Sequence, residues 1–72
     1  MDRYEELANA IILRAVDDYR RAIRQLKQRK DYQPAIDTKR DVETFFRSEW
    51  FSTLTRLDGI VLLERLRSEA AA

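Results

Sequence analysis

An all-α domain is predicted by three features of this 72-residue chain. It holds one Gly and one Pro, the residues that punctuate loops and turns. Apolar residues recur at three and four spacing through its first third, the period of one helix face. No alternation of apolar and polar residues, the mark of a half-buried strand, lasts beyond a few positions. The expected architecture is a long antiparallel helical hairpin closed by a short helix and a C-terminal helix. It forms a single domain over residues 1–72, with 1–2 and 70–72 frayed.

The first helix is expected over Arg3–Arg29. Asp2 stands as its N-cap, with Glu5 three positions on in capping-box register. Tyr4, Leu7, Ala8, Ile11, Ile12, Ala15, Val16, Tyr19, Ala22, Ile23 and Leu26 make one continuous apolar face. Lys30–Pro34 is the connection. Pro34 disfavours a helical Gln33, so a second helix starts here, capped by Asp31 or Gln33, and runs to about Arg47. It is expected to bury Ala35 or Ile36, with Val42, Phe45 and Phe46. So short a loop makes the first two helices an antiparallel pair.

All three Phe and the one Trp fall within Phe45–Phe51, and aromatic side chains bury the most area per residue. Ser48 is placed to cap a short helix over Glu49–Thr55 that turns Trp50, Phe51 and Leu54 inward, with the core closing around Trp50. Asp58 is placed to cap the last helix, Gly59–Glu69. That helix opens with Ile60, Val61, Leu62 and Leu63 in succession, an apolar turn on every side. Either it inserts into the aromatic cluster or it meets another subunit.

A chain of this size has little core to spare. Burial at ~25 cal/mol per Å² roughly cancels an ordering cost of about 1.5 kcal/mol per residue. With no Cys there is no disulfide or thiolate site, and with no His only oxygen ligands remain. No cofactor or metal site is expected. A homo-oligomeric helical bundle is, with Leu7, Ile11, Ile12, Ile60 and Leu63 as interface candidates. No apolar run approaches the ~18 residues of a membrane span. No signal-peptide pattern opens the chain, and the lack of Cys fits a reducing compartment. A cytoplasmic, non-membrane protein is expected.

Net charge is +1, which excludes a bulk polycation. The charge is nonetheless polarised. Residues 20–30 carry six positive charges and no acid, while 31–72 carry eight acids against six bases. Arg20, Arg24 and Lys27 follow at four and three spacing as a ladder on one face, with Arg14 two turns earlier and Arg21 beside it. Asp17 is in register to pair with Arg21, whereas Arg24 has no acid within helical reach. An Arg row grips phosphates bidentately. A solvated helix C-terminus, where cations suit the dipole, is the more ordinary use of such a row. Arg47, inside the aromatic cluster, is expected to stack on Trp50, to pair with an acid such as Asp18, or to point at a ligand.

Enzyme chemistry is not expected. The usual bases and nucleophiles are missing without His and Cys, and no Gly-rich phosphate loop is present. Asp37 with Asp41 is at helical spacing for a magnesium ion, but solvated surface carboxylates are far commoner. Duplex DNA is a natural partner for a basic ladder, yet no turn leads to a recognition helix and the last helix is too apolar to read a groove.

Two segments, ANAIILRAVDDYR (Ala8–Arg20) and KRDVETFFRSEWFSTLTRLDGIVLLERL (Lys39–Leu66), resemble small proteins encoded in phages, prophages and integrative elements of Firmicutes. The resemblance spans most of the chain and is loosest over 30–37. It carries over no catalytic or binding residue. What it implies is a mobile-element accessory protein in the bacterial cytoplasm that acts by stoichiometric binding. A phage-type inhibitor of a host anti-phage defence fits best, masking a host defence protein or sequestering its nucleotide signal on Arg14, Arg20, Arg21, Arg24, Lys27 and Arg47. A small DNA-binding regulator and a protein-docking adaptor are the alternatives.

Overall fold

The three-and-four apolar repeat winds into one helix, α1 (Arg3–Gln28), which sets the 40 Å length of the molecule. In this computed structural model, which describes residues 3–71, three further helices follow: α2 (Gln33–Phe46), α3 (Glu49–Leu54) and α4 (Gly59–Ala71). Asp2, the expected cap of α1, lies outside the described residues. So does Ala72, while Ala70 and Ala71 belong to the last turn of α4.

The start of α2 departs from the expected capping. Tyr32 is the N-cap, and no side chain caps the helix. Its carbonyl accepts hydrogen bonds from the Ala35 and Ile36 N–H groups, both at 3.1 Å. Pro34 has no N–H to satisfy, which removes one orphan donor from the first turn. Gln33 is already helical, and its amide reaches Asp37 at 2.8 Å. Asp31 pairs instead with Arg29 at 3.4 Å, and the Arg29 guanidinium lies 5.6 Å from the centre of the Tyr32 ring. The link therefore holds the end of α1 to the start of α2.

The most extensive packing is between α1 and α2, as the short link predicts. The core joins Ile12, Val16 and Tyr19 of α1 to Val42 and Phe46 of α2, Phe51 of α3, and Leu63 and Leu66 of α4. Ala35 is buried and Ile36 half-buried, settling which of the two faces inward. Tyr19, Phe46, Phe51 and Leu63 are the largest side chains fully enclosed, each worth ~1.5–3 kcal/mol of transfer free energy.

The aromatic cluster forms, but Trp50 is not its centre. Phe51 sits edge-on to both Phe45 (5.5 Å) and Phe46 (5.3 Å). Among the described rings Trp50 meets Phe45, at 5.1 Å, and it is 58% exposed. Ser48 decides this: its Oγ accepts the Phe51 N–H at 3.2 Å and donates to the Phe45 carbonyl at 2.6 Å. That fixes the start of α3 with Phe51 facing α2. Neighbouring helical residues point ~100° apart, so Trp50 turns outward. Leu54 is half-buried.

Asp58 caps α4 as expected, accepting from the Ile60 and Val61 N–H groups at 3.0 and 3.3 Å. The apolar turn that follows is enclosed on one side only. Leu63 is buried and Leu62 half-buried, while Ile60 and Val61 remain half-exposed. Ile12 and Leu63, both expected as interface residues, lie in the chain's own core. Of that set, Leu7 and Ile60 are open to solvent and Ile11 is half-buried.

Candidate functional site

Three cations of the predicted ladder share one cleft. Arg20, Arg24 and Lys27 of α1 line it together with Tyr19 and Ile23, and Leu66, Glu69 and Ala70 of α4 form the facing wall. The cleft encloses about 190 Å³. Its floor is apolar and its rim charged, three cations against one carboxylate.

The rungs are not equivalent. Arg20 makes a bidentate pair with Glu69, Nε to Oε2 at 3.0 Å and Nη2 to Oε1 at 2.8 Å. Hydrogen bonding from Arg20 is the main cause that holds the Glu69 carboxyl below its ordinary pKa. The two residues are 49 apart in sequence, beyond any pattern of helical spacing. Arg24 and Lys27 form no ion pair with any described residue and remain exposed.

The other three cations of the predicted set lie elsewhere. Arg14 reaches Asp18 at 3.6 Å and lines a groove between α1 and α2. Arg21 lies 4.0 Å from Asp18, not on Asp17 as its spacing predicted, and borders a hollow with Gln25 and Tyr32. Arg47 follows the last turn of α2 and is exposed. It makes neither the Trp50 stack nor the Asp18 pair.

A polar hub next to the cleft was not legible in the sequence. The Glu43 Oε2 accepts from the Tyr19 hydroxyl at 2.8 Å, Lys39 Nζ at 3.0 Å and Arg67 Nη2 at 3.2 Å. Its side chain is only 14% exposed. Burial pushes the Glu43 carboxyl up, but hydrogen bonds from Lys39, Tyr19 and Arg67 outweigh it and hold the group below its ordinary value. The Tyr19 hydroxyl is shifted up, chiefly by burial and then by its bond to Glu43. Only the Lys39 pairing, at i,i+4, had a sequence signal. The hub ties α1, α2 and α4 together and fixes the wall of the cleft.

No family model, curated protein or solved structure matches this chain. Among the described residues no three acidic side chains converge as a metal site, and no helix is long and apolar enough to cross a membrane.

Proposed function

We propose that this chain is a non-enzymatic binding protein that takes a phosphorylated small molecule on the α1–α4 cleft, in the role of a phage-type inhibitor that withholds a nucleotide signal from a host defence. The observation that supports it is the pair Arg24 and Lys27, free of acid partners among the described residues and set beside the apolar strip of Ile23, Leu66 and Ala70. Two cations one turn apart on a rigid helix grip a phosphate with charge-assisted hydrogen bonds. The apolar strip takes the less polar part of the same molecule. At about 190 Å³ the cleft is smaller than the ~300–1,000 Å³ of a pocket that engulfs its ligand, so the ligand lies across the rim.

Glu69 gives the site a signed test. The Arg20–Glu69 pair is half-exposed, and solvated pairs of this kind hold only weakly, so a phosphate competes with Glu69 for Arg20. Titration calorimetry against a panel of mono-, di- and cyclic nucleotides is the experiment. Glu69→Gln should tighten binding a few-fold by freeing Arg20. Arg24→Glu with Lys27→Glu should weaken it by roughly tenfold or more, since each bond to a charged group is worth ~1.5–3 kcal/mol. Equal, weak binding by all three proteins would overturn the proposal. Affinity only for duplex DNA, falling steeply with salt, would replace it with the DNA-binding alternative.

A further inference from the structure

The opposite face of α1 carries an apolar groove with a charge pattern of its own. Ile11 and Ala15 of α1 form one wall with Arg14 and Asp18 on the rim. Val42, Phe45 and Trp50 form the other, with Asp41 on the rim. Leu7, one turn before Ile11 on the same stripe, extends the α1 wall and is 67% exposed. The groove holds about 230 Å³. Leu7 and Trp50 are among the most exposed large apolar side chains of the described chain.

We propose that this groove is the seat of a second copy of the same chain, paired about a two-fold axis that runs along it. Such an axis lays the α1 wall of each copy over the α2–α3 wall of the other. Trp50 of one copy then covers Leu7 and Ile11 of the other, and Arg14 of one meets Asp41 of the other. An isologous interface requires this self-complementarity, in which the residue that i touches touches i in return. Here both the apolar pair and the opposite charges satisfy it with one axis. Asp18, the acid on the α1 rim, keeps Arg21 at 4.0 Å when Arg14 turns to Asp41 of the other copy.

The groups are available for exchange. Arg14 and Asp41 are 81% and 77% exposed, and their present partners lie at 3.6 and 4.0 Å, distances at which solvated pairs hold little. This face lies away from the α1–α4 cleft, so the pairing stands or falls independently of ligand binding.

Sedimentation equilibrium with charge-reversed variants tests it. The unmodified chain should be a dimer. Arg14→Glu sets a carboxylate against Asp41, and Asp41→Arg sets a guanidinium against Arg14, so each variant alone should dissociate at least about tenfold more readily. Mixed together, the two should recover a one-to-one dimer, because both rims then face an opposite charge. Trp50→Ala should weaken the dimer by roughly thirtyfold or more, with its helical circular dichroism kept as the check on folding. Because Trp50 is the chain's one Trp, its fluorescence should shift to the blue as concentration rises. A wild-type monomer throughout the accessible concentration range would overturn the proposal, as would a dimer indifferent to the reversals.

Discussion

Glu43 accepts hydrogen bonds from α1, α2 and α4 at once. Replacing it by Ala leaves the Tyr19 hydroxyl, on a fully enclosed side chain, without its acceptor, at a cost of ~1–3 kcal/mol. Chemical denaturation should show Glu43→Ala to be clearly destabilised. Adding Tyr19→Phe should recover part of the loss, because the orphaned hydroxyl is removed with its partner. The pH dependence has a definite sign. The folded pKa of Glu43 lies below the ordinary value of 4.5, so its contribution is present in full above that value and is lost as pH falls through the folded pKa. Thermal unfolding followed from neutral pH into acid should therefore fall less steeply for Glu43→Gln than for the unmodified chain.

At the scale of the elements, one residue decides how α4 approaches the hairpin. A Cβ on Gly59 would run into the Phe46 carbonyl oxygen and would stand 3.0 Å from the Phe51 ring. Backbone on backbone cannot yield as a flexible side chain does. Gly59→Ala should destabilise by ~1–3 kcal/mol, the usual result of overpacking, even though Ala is the better helix former. Asp58→Ala, which removes only the cap of the same helix, should cost ~1 kcal/mol. In a chain of this length that is a melting-point drop of about 4–8 °C. Differential scanning calorimetry that ranked the two in the opposite order would mean that capping, not close approach, holds α4 in place.

The whole molecule is a hairpin with a small core and two dissimilar long faces. One is a charged cleft between α1 and α4, the other an apolar groove between α1 and α2. If the groove seats a second copy, the melting temperature should rise with protein concentration by mass action, and Trp50→Ala should abolish that rise. A nucleotide held in the cleft should raise the melting temperature at fixed protein concentration, and Arg24→Glu with Lys27→Glu should abolish that effect alone. The two dependences separate the faces.

Much of this was legible in the chain itself. The period of α1, the Ser48 and Asp58 caps, the short link and the aromatic run all act within a few residues, where local sterics and hydrogen bonding decide the outcome. So the helices, their order and the antiparallel pairing were determined by sequence alone, as was the common face of Arg20, Arg24 and Lys27. Tertiary structure decided what lies across from each residue. It set Glu69 on Arg20, brought Tyr19 and Arg67 to Glu43, and buried Ile12 and Leu63. These depend on packing between segments 24 to 49 residues apart. Periodicity tells which residues share a face, but not which face of another helix will cover it.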